Sequence, residues 1–555
     1  MAAENKLVIK EIAGPFKIGN VSWVYFYQHN EEHSLYLTYD ENVEFTFSTS
    51  SDIEIEELFV NTNSLSLQWA FIQLKKVAFN HFSSTFKFNS CGLFHFKIIY
   101  KIKNDEAYSW DNRPFTTLTI EPNNCHNLSI YTYIPNVSGK FSDWIKDFNK
   151  IKLLGFNTIH LLPFIELDTS QSPYAAKDLF HVDPYYFDTD NKQTEKYYID
   201  ALVKNCQNNK IKLCLDLVFN HVGVNSNICQ STPHWLQLDP TELDGLKRAG
   251  YWFNDQWIKW NDVVLIDFDH PNDKVKREIW DYMISYSLFW SEIASRTNGM
   301  IRLDNLHSTN FLFAEKVIAE IKNKFPHLII QAELFAYKFV VKNYMSKGYI
   351  NLLLTTPWLS PYASDIRIQL KNIHRKYVSK RFIFSINSHD SQSAVELYGS
   401  PQAIIPRYAS AALMSTGCTG LTQGTEYGIN KKLSFVGYQP RVVFNDAPEI
   451  CSAITKINQI KSLFKTFQTG GNIEFIDNDN PAILACIRFG IKFNESDFLI
   501  IANFNANSSQ DLTLNLKNYH TKYGRDLFTN EIIPLQNLMV TSLHLSQIVI
   551  LEIQN

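Results

Sequence analysis

"GMIRLDNLHST", residues 299–309, is the stretch on which the reading of this chain turns. It opens like a buried β-strand, with Met300, Ile301 and Leu303 apolar. Arg302 and Asp304 interrupt it two positions apart. Side chains at i and i+2 of a strand share a face, so the two opposite charges would lie side by side. Burying ions is costly unless they are paired and hydrogen-bonded. A strand carrying both therefore holds either a structural ion pair or a pair with chemistry to perform.

Outward from this strand the same texture repeats. "LSIYTYIP", "TIHLLP", "IKLCLDLVF", "LIIQAELF", "YINLLLTT", "RFIFSINS" and "CTGLTQG" are short apolar runs of the same kind. Amphipathic stretches with helical spacing separate them, such as "FSDWIKDFNKIKLLG" and "KVKREIWDYMISYSLFWSEIAS". Eight β-runs between about 128 and 424 alternate with helices, which implies right-handed βαβ units and a parallel sheet. The expected fold class is α/β, a closed (β/α)8 TIM barrel, with an open doubly wound sheet as the alternative. Residues 1–125 read instead as alternating strands, a small N-terminal β-sandwich domain, and residues 471–555 return to that pattern as a C-terminal all-β domain. The barrel is expected over 126–470, with a small insertion at about 221–262, an interval rich in Trp, Asn and Asp.

Composition narrows the partners. The 555 residues carry 52 basic and 56 acidic side chains, a net charge of -4, which gives no basic stripe for a nucleic-acid backbone. No run approaches the roughly 18 apolar residues of a membrane span. The N-terminus "MAAENKLVIKEIAGPF" lacks the basic and apolar regions of a secretory signal, so the expected location is cytoplasmic, with signal-independent export left open. Eight scattered cysteines without a CxxC pair argue against a zinc ribbon or a disulfide framework. Oligomeric state is not legible.

In a (β/α)8 barrel, chemistry sits at the C-terminal ends of the strands. The third strand here ends with Asp216, Asn220 and His221, the fourth with Arg302 and Asp304, the fifth with Glu333, and the seventh with His389 and Asp390. Each has a plainer reading by itself. Arg302 with Asp304 is a structural ion pair, Asn220–His221 is turn chemistry, Glu333 caps a helix, and Asp390 is a helix N-cap. Their joint occurrence on successive strand ends points elsewhere. Glycoside cleavage uses two carboxyl groups flanking the bond, about 5–5.5 Å apart in retaining enzymes, close to the spacing of adjacent strands. Asp304 and Glu333 meet that condition. Arg302 is expected to hold Asp304 ionised, and the apolar setting of Glu333 suits a proton donor.

These segments resemble the signatures of the α-amylase clan, the retaining α-glucan-active (β/α)8 enzymes. "DLVFNHVG", "GMIRLDN", "QAELF" and "INSHD" resemble its four motifs in order, and "SPYAAKDLFHVDP" its Tyr-x-x-x-Asp-x-x-x-x-Asp-Pro pattern. "GFNTIHLLP" and "TGCTGLTQGTEYG" are similar to its second and eighth strands. The resemblance implies Asp304 as nucleophile, Glu333 as general acid and base, and Asp390 as the group gripping sugar hydroxyls. It implies that His221 and His389 bond the same sugar, that Tyr174 stacks under it, and that Arg302, with Asp216 behind it, orients Asp304. Asn220 falls where many members ligate a structural Ca²⁺, with a loop hydrogen bond as the alternative; no other cofactor is expected.

Two departures stand out. Ser388 replaces the usual Asn before His389. His307 and Ser308 replace the Lys-His of many amylases, so contacts on the leaving-group side should differ. "RLDNLHST" and "SPYAAKDLFHVDP" look most like the glucanotransferase half of glycogen debranching enzymes. The helical glucosidase half of those enzymes has no counterpart in these residues, so a single activity is expected. That activity is retaining hydrolysis of α-1,4 bonds in glycogen- or starch-like α-glucans. The alternatives are 4-α-glucanotransfer and an inactive glucan-binding barrel.

Overall fold

The computed structural model describes residues 5–10, 20–22, 34–40, 42–48, 53–63, 69–88, 90–110, 116–123, 125–189, 193–253, 256–336, 339–341, 344, 350–356, 359–376, 382–415, 417–468, 473–490, 495–517, 519 and 522–554. Residues 113–115, at the start of the expected last sandwich strand, and Thr416, which opens the eighth-strand motif, lie outside them. The chain divides into two compact units, Met1–Asn123 with Ile318–Leu328 and Ala336–Asn351, and Asn124–Val317 with Ile329–Phe335 and Leu352–Asn555.

In the first unit a five-stranded and a six-stranded sheet pack face to face. Phe47, Phe82 and Phe86 of one meet Leu58, Val60, Phe96 and Ile98 of the other in one apolar core. That is the sandwich the alternation predicts.

The second unit is built on a closed barrel of eight parallel strands. They are β1 (Ser129–Tyr133), β2 (Thr158–Leu161), β3 (Lys212–Val218), β4 (Met300–Asp304), β5 (Ile329–Ala332), β6 (Leu352–Thr355), β7 (Phe382–Ser385) and β8 (Cys418–Thr422). The α/β barrel expected from the alternating runs is the observed fold. β4 lies between β3 and β5, with Asp216 opposite Arg302 and Leu303 opposite Ala332. Gly299 precedes β4 because a Cβ there would stand 2.2 Å from the Leu213 carbonyl oxygen.

Alternation along the strands stacks the interior in layers. Ile130, Cys214, Met300, Ile329, Leu352, Ile383 and Cys418 form a buried apolar floor. Two residues further along each strand, the inward positions are Thr132, Asp216, Arg302, Gln331, Leu354, Ser385 and Gly420. Polar groups therefore begin one layer above the floor, on the side where the strands end. Between β3 and the helix Asp273–Ser295, His221–Gly223, Arg248–Phe253 and Gln256–Leu265 form a three-stranded antiparallel sheet. The helix begins where the Asn272 side chain accepts the amide hydrogens of Lys274 and Val275, satisfying donors that the helix cannot. After residue 473 the chain makes a six-stranded and a two-stranded antiparallel sheet around Ile487, Leu499, Ile501, Leu512 and Leu514. Among the described residues no helix is long and apolar enough to cross a membrane.

Candidate active site

Arg302 is 2% exposed and is the hub of the barrel mouth. Its Nη1 donates to Asp216 Oδ2 and to Asp304 Oδ1, each at 2.9 Å. Its Nη2 lies 3.1 Å from Glu333 Oε2. One guanidinium thus ties together carboxylates from three neighbouring strands. Its planar fork holds Asp304 and Glu333 on the same rim, compatible with the separation a retaining pair needs.

The turn after β4 completes the arrangement. Asn305 has φ +46°, a left-handed conformation that Asn tolerates better than most residues. The twist aims its backbone N–H at Glu333 Oε2, 3.0 Å away. Glu333 is therefore not a helix cap, and its Oε2 is held by two donors. Among the described residues no donor engages Asp304 Oδ2 or Glu333 Oε1.

Asp216 also accepts from His160 Nε2 at 2.7 Å and from the Tyr174 hydroxyl at 3.0 Å. The Tyr174 hydrogen goes to Asp216, so His389 Nε2, 2.8 Å from the same hydroxyl, is the donor there. The Tyr174 and His389 rings stack 5.7 Å apart, inclined by 16°. His389 Nε2 also lies 3.2 Å from Asp390 Oδ2. Asp390 is exposed and does not cap the following helix; Ser393 does, accepting the Glu396 amide hydrogen. Arg302, Glu333, His389 and Asp390 line a cavity of about 440 Å³ that opens at the strand ends.

Two expected members join this network only through backbone groups, His221 at Tyr174 and His307 at Glu333. His221 donates from Nδ1 to Asn220 Oδ1 at 2.8 Å and packs edge-on against Trp260. His307 is exposed and meets Phe335 edge-on, with ring centroids 6.2 Å apart. The Asn220 amide oxygen accepts from His221 and its carbonyl oxygen accepts the Ile266 amide hydrogen, the loop hydrogen bonding that was the alternative to a calcium ligand.

The electrostatics correct one expectation. Burial raises the Asp304 carboxyl well above the usual carboxylate range; Arg302 opposes this, and the charge of Glu333 adds to it. Burial outweighs the pull of Arg302, whose charge is shared by three acids. Asp216 takes the larger share. Burial pushes it up, but Arg302 and His160 outweigh that and hold it well below the ordinary range. Burial lowers His221 to about 4 and also lowers His389, so both are neutral imidazoles near pH 7.

Several members of the site were not named from the sequence. His160 shares its "TIHLLP" strand with apolar neighbours and faces inward, where its Nδ1 lies 3.3 Å from Thr132 Oγ1. Gln331, two positions before Glu333, lines the cavity, and its buried Oε1 has no partner among the described residues. The strand alternation that selected Arg302 and Asp304 would have selected both. Phe435 packs edge-on against Tyr174 and His389 from a loop that no motif marks.

Barrel and mouth together define a (β/α)8 protein with a cluster of acids at its strand ends. Residues 122–236 match the family described as glycogen debranching enzyme, glucanotransferase domain. An α-1,4-glucan:maltose-1-phosphate maltosyltransferase of Methylacidiphilum infernorum is 24% identical over 317 residues, 55% of this chain and 45% of that protein. A cyclomaltodextrinase of Thermoanaerobacter pseudethanolicus is 35% identical over 207 residues, 35% of this chain and 31% of that protein. The chain spans about half the length of the curated relatives it matches. A maltogenic α-amylase of Thermotoga neapolitana shares the fold with a TM-score of 0.63 at 18% identity, covering 78% of this chain and all of that one. The chain thus shares the barrel fold of that amylase and is similar over residues 122–236 to the debranching-enzyme glucanotransferase domain.

Proposed function

We propose that this protein is a retaining enzyme that hydrolyses α-1,4 bonds of glycogen- or starch-like glucans. The observation that carries the reading is the Asp304–Glu333 pair on adjacent strand ends, bridged by Arg302. Such a pair must hold one proton and one charge. Burial and the neighbouring charge of Glu333 raise the Asp304 carboxyl, which favours one proton on the pair. In the reactive form Glu333 carries it on Oε1, the oxygen no described donor engages.

Glu333 gives that proton to the glycosidic oxygen as the C1–O bond breaks. Asp304 Oδ2 bonds to C1 on the opposite face. Water then attacks C1, Glu333 takes its proton, and the bond to Asp304 breaks. Arg302 stabilises the carboxylate that Asp304 regains, and Asp216 with His160 fixes the guanidinium. Asp390, exposed at the mouth, accepts sugar hydroxyls. Neutral His389 and Tyr174 pack beneath the same ring. His221, beside the Tyr174 backbone, bonds the same sugar, and His307, beside the Glu333 backbone, contacts the leaving-group side.

A second reading, 4-α-glucanotransfer, is favoured by the match to a glucanotransferase domain. It uses the same intermediate with a sugar hydroxyl as acceptor. Chromatography of products from a single maltooligosaccharide separates the two. Only shorter products are expected, and longer ones would favour transfer. Asp304→Asn should abolish turnover while glucan is still bound. A wild type inactive on every α-glucan would overturn the proposal.

A further inference from the structure

A cavity of about 830 Å³, nearly twice the volume of the catalytic mouth, lies where the loops after β6 and β7 meet the C-terminal sheets. We propose that it is a second binding cleft for a neutral polyhydroxylated chain, an α-glucan segment held away from the bond being cut. The identity of that ligand rests on the function proposed above; the cleft itself does not.

Its chemistry selects the ligand class. Tyr362 stands at its edge, 61% exposed, and among the described residues neither its ring nor its hydroxyl has a partner. Across from it Asp479, Asn507, Asp511 and Thr513 are exposed, and their side chains too have no partner among the described residues. An exposed aromatic face beside convergent amide, hydroxyl and carboxylate groups suits sugar rings, which offer a C–H face and a rim of hydroxyls. The volume falls in the roughly 300–1,000 Å³ range of ligand clefts.

An anion is disfavoured. No lysine lines the cleft, and its one arginine, Arg407, is buried. That guanidinium lies flat between Tyr398 and Phe504, 3.8 Å and 4.6 Å from the ring centroids, and donates to the carbonyls of Ser360 and Pro361. Its charge is spent inside the protein, while two carboxylates face the ligand. The same bonds fix the backbone immediately before Tyr362, so the ring is set in place before anything binds. Three residues earlier on this loop, Leu359 lines the catalytic cavity. One short loop therefore borders both cavities, as expected if a single long chain reaches from one to the other.

The test uses the full chain carrying Asp304→Asn, so that glycogen is not consumed. Retardation in native gels containing glycogen is compared with and without Tyr362→Ala, and with Thr513→Arg as a second variant at an exposed strand position. Unchanged melting temperatures establish that the variants fold. Each should bind glycogen about fivefold or more weakly. In the active enzyme the same changes should raise KM for glycogen by a similar factor and leave kcat/KM for maltotetraose within about twofold. Equal retardation and equal KM for glycogen would overturn the inference. If the wild type cleaved no α-glucan but its retardation still depended on Tyr362, the proposed function would fall and the cleft would stand.

Discussion

Replacing Arg302 by Gln removes the one guanidinium shared by Asp216, Asp304 and Glu333. Deleting one partner of a buried ion pair costs about 3–5 kcal/mol, because the other charge is stranded. Here one deletion strands Asp216 and the single charge of the Asp304–Glu333 pair, so the upper end of that range is expected near pH 7. That corresponds to a fall in Tm on the order of 5–10 °C. The pH dependence has a definite sign. Burial raises the Asp216 pKa, but in the wild type Arg302 and His160 outweigh it, and the folded value lies below the unfolded one. Its stabilisation is therefore present above the unfolded pKa of about 4 and is lost only as pH falls toward the folded value. Without the guanidinium, burial dominates, so the variant gains stability on acidification. The gap in Tm should be widest at pH 7–8 and narrow toward pH 4. Turnover should fall by roughly 10²–10³-fold, chiefly in kcat, since a fixed electrostatic partner of the reacting carboxylate is gone. Lys at this position should not restore it, because an ammonium cannot match the planar fork. Thermal melts at several pH values and steady-state kinetics on maltooligosaccharides check both arms. Equal Tm across pH 5–8, or kcat within about threefold of wild type, would refute the argument.

Other outcomes follow from the same geometry. Glu333→Gln should lower kcat on maltooligosaccharides by about 10²–10⁴-fold, and far less on an aryl glycoside whose leaving group needs no proton; equal losses on both would contradict the acid role. His160→Phe should lower kcat/KM about tenfold by releasing Asp216, with most of the loss restored by His160→Gln, which can still donate; kinetics on the two variants decide it. Burial raises Glu426 to about 7 from 4.5, against the hydrogen bond donated by Tyr131. The folded state then binds the extra proton, so stability declines as pH rises from about 4.5 to about 7, by about 3 kcal/mol in total. Glu426→Gln, which mimics the protonated acid, should match wild type in Tm at pH 5 and exceed it at pH 8; parallel pH profiles would count against this.

Much of the site could be read from local signals. Asp304 and Glu333 each end an apolar run, and strand-end acids in a repeating β/α pattern are informative because the barrel sends those ends to one rim. Asp390 lines the mouth, while the capping role that the neighbouring helix offers is filled by Ser393. His160 and Gln331 were passed over because each is a single polar residue within a strand. Only closure of the barrel shows that they face its interior beside Arg302.

The sequence by itself determined the elements and their order: eight strands with helices between, sandwich-like ends, and the strands whose ends carry acids. Those properties are local, set by the period of apolar residues and by what interrupts it. Tertiary structure alone decided the division of charge. Arg302 adjoins Asp304 in the chain, but its nitrogens also reach Asp216 on β3 and Glu333 on β5. Which acid is held ionised and which retains its proton depends on distances across strands and on the water displaced from them. Neither quantity exists until the sheet has closed.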